Sequence, residues 1–342
     1  MLIVYRKSSL GWSPIYYMVQ LMAELFRADL LIFKSQSIPK NLGKRLEAHF
    51  LRRKKDQEGE PCLIICNGPN DLRLLSGIKN WRTRFGIVAA WVIDSFWINR
   101  IPKLNPVLNK FDYLLDNFDY FLITTKEDVS EWRQLTKKPI HWLPWGTDAL
   151  RLGSSASRRD WNLIRVGRQP AEWDNDSMTK KLCLEKKLRF HGRPSYHSCP
   201  ITNQKMLMNI FGQTQFTLAF SNTANPTKYT HPSREYLTAR WVDSLACGAI
   251  VAGIPPQEPS IKSLLWDGAT LNLQSVIIEE GLEVIAEAVR NWTPQKAETN
   301  YKQALKLLDW RWRFAVISDL LKVSSDQLNY EFNLLKVQAG VE

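Results

Sequence analysis

The chain has 342 residues, of which 44% are hydrophobic and 23% charged, enough for two domains of ordinary size and too well mixed for disordered or low-complexity architectures. With 46 basic against 34 acidic residues the net charge is +12, which leaves nucleic acid, anionic lipid and phosphorylated small molecules open as partners. Five Cys, an odd count with no metal-site spacing between any pair, fit a reducing compartment.

Leu2 to Tyr5 reads as an opening strand, and the run ends at Arg6 and Lys7, too short for the apolar core of a signal peptide. A helical period follows from Ile15 to Phe26. Residues 34–55 carry eight Lys or Arg against Glu47, with Leu42, Leu46 and Phe50 on one side. Two readings stand: a solvated helix face, or an interfacial helix drawn to an anionic membrane surface. CLIIC, with Cys62 and Cys66 as core thiols, is a strand that ends in the turn NGPND. FGIVAAWVID is another, and its longest apolar stretch, Gly86 to Ile93, is far short of the roughly 18 residues that cross a bilayer. FDYFLITT and IHWLPWG complete the first set.

The small, polar and basic stretch 151–160 reads as a linker between a first domain, 1–150, and a second, 161–342. The pattern then restarts with WNLIRVGR, LRFHGR, FTLAFSN, the helix and strand of EYLTARWVDSLACGAIVAG, and ATLNL, and from Glu279 on it is helical. Buried strands without clean alternation, separated by helices, predict an α/β protein of two doubly wound parallel sheets, with a ligand cleft between them.

The chemistry concentrates in SREYLTARWVDSLACGAIVAG. Glu235 is placed on the loop before a helix and Asp243 within it; acids there accept bonds from sugar hydroxyls, while the backbone N–H groups of a helix start attract phosphate. Asp94, at the end of FGIVAAWVID, is either a turn residue or a carboxylate that orients an acceptor hydroxyl or takes its proton. Asn67 and Asp71 are weaker alternatives. Arg193, in HGRPSY, is either part of a simple turn or a group that stacks on a base or pairs with phosphate.

Glu235, seven residues, Asp243 and then SLACGAIVAG resemble the signature of the retaining nucleotide-sugar glycosyltransferases of the two-Rossmann-domain (GT-B) fold, the glycogen-synthase-like and mannosyltransferase-like group. RVGR, FDYFLITTKED, IHWLPWGTD with Trp145 in place of Asn, Gly11 and Trp310 match further landmarks in the same order over nearly the whole chain. The resemblance implies that Glu235 faces the donor sugar, Asp243 holds the ribose, Arg168 meets the diphosphate, and Gly11 lets a ligand approach the backbone. It also implies that HGRPSY, with Arg193, lies where the nucleobase is held. Two departures stand out. The family's Lys five positions after the Arg is Trp173 here, with Lys180, Arg193, Arg234 and Arg240 as substitutes, and a family Gly is Thr238, whose hydroxyl is placed to donate to phosphate.

Asp174 and Asp176 imitate a metal-binding Asp-x-Asp but lie in a polar stretch and read as loop or capping residues. The five His show no zinc spacing, so no metal cofactor is expected. Basic residues are not interleaved with stacking aromatics, which argues against nucleic acid. The expected protein is a cytoplasmic, metal-independent glycosyltransferase of polysaccharide biosynthesis, at most peripheral on a membrane, that passes sugar from a nucleoside diphosphate to a hydroxyl acceptor. A degenerate glycan- or nucleotide-binding relative of the same fold is the alternative.

Overall fold

A computed structural model describes residues 1–8, 12–34, 51–54, 58–96, 114–227 and 230–341. The chain forms two compact units, Met1–Pro144 with Arg313–Phe332, and Trp145–Trp312 with Asn333–Glu342. The expected boundaries therefore move: residues 151–160 belong to the second unit, and 313–332 leave the expected 161–342 domain for the first.

In the first unit six strands, β1 (Leu2–Arg6), β2 (Asp29–Phe33), β3 (Glu60–Cys66), β4 (Phe85–Val92), β5 (Tyr120–Ile123) and β6 (Ile140–Trp142), form a sheet in the order β2-β1-β3-β4-β5-β6. Every pairing is parallel. The central strands are apolar on both faces, as burial under helices requires: Val4, Cys62, Ile64, Cys66, Val88, Ala90 and Val92 share one core with Phe118, Phe121 and Trp132. β2 is an addition to the sequence reading. It starts after Arg27 ends helix α1 (Ser13–Phe26) in a left-handed conformation, φ 51°, and its apolar run Leu30–Phe33 is only half-buried.

Five strands make the second sheet, β7 (Trp161–Arg165), β8 (Phe190–His191), β9 (Thr214–Leu218), β10 (Ile250–Gly253) and β11 (Thr270–Asn272), in the order β11-β10-β9-β7-β8. All its pairings are parallel as well. Helices α2 (Asp176–Glu185), α3 (Pro200–Gly212), α4 (Ala239–Ala246) and α5 (Ile278–Arg290) connect or cover these strands. Leu163, Phe216, Leu218, Ile250, Leu282 and Ile285 share one core with Trp173. Two further helices, α6 (Pro294–Leu307) and α7 (Trp310–Leu321), precede a last one, α8 (Asp326–Ala339). Trp310 thus opens the penultimate helix.

Entry to and exit from the second unit are stitched together. Thr147 N donates to Leu308 O and Trp310 N to Thr147 O, both at 2.9 Å. The fully buried Arg311 reaches Asp148 at 2.6 Å and Asp309 at 3.0 Å, and Asp309 also accepts from Leu150 N at 2.8 Å. Among the described residues no helix is long and apolar enough to cross a membrane. The basic segment 34–55 lies outside the described residues except for Lys34 and 51–54, where Arg53 is 5% exposed, pairs with Asp119 and donates to Phe85 O and Gly86 O.

At the end of β10, a Cβ on Gly253 would lie 1.7 Å from Ala219 O, whereas Gly268 has a positive φ but open space around it. Gly253→Ala is expected to cost about 3 kcal/mol of unfolding free energy through collision, and Gly268→Ala only about 1 kcal/mol through left-handed strain. Urea denaturation of the two variants measures the difference.

Candidate functional site

In an open parallel sheet, ligands bind beyond the C-terminal strand ends where the strand order reverses. That point lies between β1 and β3 in the first sheet and between β7 and β9 in the second.

β7 runs into Val166, Gly167 and Arg168. Gly167 has φ +70°, and a Cβ there would stand 3.5 Å from the guanidinium carbon of Arg240. Arg240 Nη1 donates to Arg168 O at 2.6 Å and to Val166 O at 3.4 Å. Arg193 Nη2 donates to Gly167 O at 3.3 Å. Arg168 donates to Thr227 Oγ1 at 2.7 Å and Asn225 O at 2.9 Å. Three guanidinium groups therefore belong to one turn at the switch point. The loop that holds Arg168 also holds Glu235: Thr223 Oγ1 donates to Glu235 Oε1 at 2.5 Å, and Gln257 N donates to Oε2. Glu235 is 8% exposed and lies just ahead of α4, whose N-cap is Thr238. The Thr238 hydroxyl makes no capping bond and has no hydrogen-bond partner.

Asp243 departs most from its expected role. It is 2% exposed, Thr147 Oγ1 donates to one carboxylate oxygen at 2.6 Å, and Gln204 Nε2 to the other at 2.9 Å. Burial pushes its carboxyl up to about 6, against the opposing pull of those two bonds. The side chain anchors α4 to the segment after Gly146 and to α3, so a ribose would reach it only by displacing one of these donors.

In the first unit, Asp94 follows β4 by two residues. Its N–H donates to Asn67 O at 3.0 Å, and the neighbouring Ser95 is fixed by Asp128 at 2.7 Å and by Trp132 Nε1 at 3.1 Å. The residue keeps some exposed surface, while desolvation pushes its carboxyl up to about 7. Asn67 and Asp71 are engaged elsewhere: Asp71, fully buried, pairs with Arg6 at 2.7 Å and accepts from Asn67 N. Gly11 lies outside the described residues.

Trp173, at the family's Lys position, is fully buried and donates to Val276 O at 2.9 Å. Trp145, in place of Asn, is 5% exposed and meets Trp310 edge-on at 4.6 Å. In WDND it is Asn175 that caps α2, accepting from Met178 N. Asp174 pairs with Arg165 at 2.8 Å and Arg193 at 3.2 Å, while Asp176 pairs with Arg165 at 3.0 Å and accepts from Arg193 N at 2.9 Å. The two acids thus hold the turn that carries Arg193, a role for which the sequence offered only their alternation. Among the described residues no group of three His, Cys, Asp or Glu is placed to hold a metal ion. Beside Arg193 a small pocket is lined by Gly167, Arg193, Tyr196 and Met206 among others.

The raised Asp243 carboxyl makes the folded state bind more protons than the unfolded one between about pH 4 and 6, so its contribution to stability falls as pH rises through that window. Asp243→Asn removes the charge, and Gln204 Oε1, which has no partner, can accept from the new amide. The variant is expected to be more stable at pH 7 by on the order of 2 kcal/mol and to lose that slope; denaturation at pH 4, 5, 6 and 7 tests both.

No protein-family model and no curated protein matches the sequence. Solved structures do. One described as trehalose-6-phosphate from E. coli bound with UDP-2-fluoro glucose aligns with TM-score 0.53 and 9% identity, over 95% of this chain and 100% of that one. A trehalose-6-phosphate synthase studied with bisubstrate glycomimetics gives 0.53 and 9% over 94% and 99%, and another gives 0.52 and 12% over 92% and 84%. At such identities the likeness is one of architecture, and with both sheets parallel and doubly wound, the chain has the two-Rossmann-domain GT-B fold of these glycosyltransferases.

Proposed function

We propose that the chain is a glycosyltransferase that moves a sugar from a nucleoside diphosphate sugar to a hydroxyl acceptor with retention of configuration. The observation that carries this reading is the gathering of Arg168, Arg193 and Arg240 at the β7 turn, on the loop system that also holds Glu235. In the reaction the bond from the anomeric carbon to the diphosphate oxygen breaks and one to the acceptor oxygen forms. The departing oxygen gains negative charge, and the arginines and the N-terminal end of α4 are suited to stabilise it. Glu235, fixed by Thr223 and Gln257, orients the sugar. Asp94 orients the acceptor hydroxyl and takes its proton, a task suited to a carboxyl pushed up to about 7.

Charge neutralisation by arginine rather than by metal is part of the proposal. Its support is that Asp174 and Asp176, the pair that imitates a metal site, are already paired with Arg165 and Arg193. Turnover is therefore expected to survive EDTA. The second reading, a nucleotide- or glycan-binding relative without turnover, draws on the buried Trp173 and the inward Asp243.

Thermal melts with UDP, GDP, ADP and dTDP, followed by release of diphosphate from the matching donors, separate the two. At least one nucleotide is expected to raise the Tm. Glu235→Gln should keep that shift and lose about a hundredfold or more in kcat, and Asp94→Asn should abolish a limb near pH 7 in the kcat/KM profile. A nucleotide shift without turnover on any donor favours the binding reading, and no shift at millimolar nucleotide overturns the transferase reading and leaves the glycan-binding relative.

A further inference from the structure

Away from the switch point, the second unit carries a cleft of about 410 Å3, within the size range of small-ligand sites. One side of it is the outer face of α6. Ala297, Asn300 and Ala304 turn the other face of that helix inward, and Asn300 fixes it by donating to Ala249 O at 3.0 Å and accepting from Trp266 Nε1 at 2.8 Å. The face left to the cleft repeats every three or four residues as Gln295, Glu298, Tyr301 with Lys302, and Leu305. Ser155 and Ser157 form a second wall, and Gln338 of α8 a third.

The serine wall is tied down at both ends. Ser154 N donates to Ala246 O at 3.0 Å, and the buried Arg159 gives Nη1 to the carbonyls of Phe211, Gly212, Thr214 and Cys247. Between these anchors Ser155 and Ser157 stay exposed. Tyr301 is half-buried, with its ring against the backbone at Gly153, where a Cβ would lie 2.6 Å from ring carbon Cε2. Burial, with the nearby Asp309, pushes its hydroxyl up, so it remains a neutral donor and acceptor. The cleft stands at the far end of α4 from the candidate donor site, since Ser154 meets the last residue of that helix and Thr238 caps its start. Eight residues of helix separate the two by about 12 Å.

The lining selects a class of ligand. Its charged groups, Lys302 and Glu298, pair with each other at 2.6 Å, so the cleft offers no net charge to a phosphate or a carboxylate. Beyond Pro294, Leu305 and the tyrosine ring its walls are polar, which disfavours an acyl chain. Ser155, Ser157, Gln295 and Gln338 carry hydroxyls and amides that both donate and accept, and the described hydrogen bonds of the protein use none of these four side chains. A sugar ring is complementary on both counts: its hydroxyls pair with amides and hydroxyls, and its C–H face suits the partial negative charge of an aromatic face. We propose that this cleft is a binding site for a neutral saccharide, with Tyr301 as the platform for a ring and the serine and glutamine side chains as partners for its hydroxyls. The inference goes beyond the transfer reaction and does not depend on it. A glycan held at a second point on the protein stays at high effective concentration between encounters with another site.

The test is saturation-transfer NMR titration of maltotriose, mannotriose and chitotriose, with a hyaluronan tetrasaccharide as the charged control. The proteins are wild type, Tyr301→Ala, Tyr301→Phe and the double variant Gln295→Ala with Gln338→Ala, each with and without millimolar UDP and with its Tm recorded. At least one neutral trisaccharide is expected to bind wild type equally well in the presence and absence of UDP. Tyr301→Ala should weaken that binding by about tenfold, the double variant by about tenfold, and Tyr301→Phe should keep most of it. If Tyr301→Ala does not fold, the double variant carries the decision, because both of its side chains are exposed. Binding that the variants leave unchanged, or that UDP abolishes, belongs to another site and overturns the proposal. Tighter binding of the hyaluronan fragment than of any neutral sugar overturns it too, as does the absence of binding by all three trisaccharides at about 10 mM. The donor reading is judged apart from these outcomes, by the nucleotide-dependent rise in Tm of wild type.

Discussion

A single buried arginine sets the frame of the second unit. Arg311, with Asp148 and Asp309 on either side, closes the place where the chain enters and leaves that unit. Two carboxylates share one guanidinium with no access to water, and burial holds the Asp309 carboxyl above its usual range despite the adjacent Arg311 charge. Such a cluster is costly to desolvate and more costly to break, because any removed partner leaves a buried charge unmatched. Its use is placement. It fixes Asp148, and therefore Thr147, whose hydroxyl reaches Asp243 on α4. The same helix carries Thr238 at its cap and Arg240 in its first turn, so the position of the candidate donor site descends from the buried triad through a short chain of hydrogen bonds.

The distribution of cations follows from that frame. Guanidinium groups that face inward are neutralised locally, Arg53 by Asp119, Arg165 by Asp174 and Asp176, Arg311 by its two acids. Arg159 is a variant of the same principle, giving one nitrogen to four backbone carbonyls. At the switch point of the second sheet the described bonds of Arg168 and Arg240 go to carbonyls and a hydroxyl. A site that receives an anion gains from donors that are held in place in advance.

Much of the architecture was legible in the sequence because parallel strands buried on both faces read as short continuous apolar runs, and CLIIC, FGIVAAWV and IVAG are all of that kind. The edge strand β2 was not, since its short apolar run, Leu30–Phe33, follows the apolar end of α1 after only Arg27, Ala28 and Asp29. The change of unit at Pro144 was hidden because the polar stretch 151–160 looks like a linker, while the bonds that commit 145–152 to the second unit come from residues about 160 positions away. Among candidate site residues, Glu235, Arg168 and Arg193 could be named from their motifs. The inward turn of Asp243 depends on Thr147 and Gln204, and the placement of Arg240 depends on two backbone carbonyls 74 and 72 residues earlier; neither relation leaves a trace in local spacing.

The carboxyls displaced upward by burial, Asp94 and Asp243 among them, make the charge of this chain a property of its fold. The formal value of +12 treats every Asp as ionised, which holds for the unfolded chain near neutrality. With Asp94 pushed up to about 7 and Asp243 to about 6, the folded protein at pH 6 retains roughly one to two protons that the unfolded chain has released. Folding at that pH is therefore a proton-uptake reaction, its heat depends on the ionisation enthalpy of the buffer, and native and denatured forms differ in electrophoretic mobility by more than their size alone accounts for.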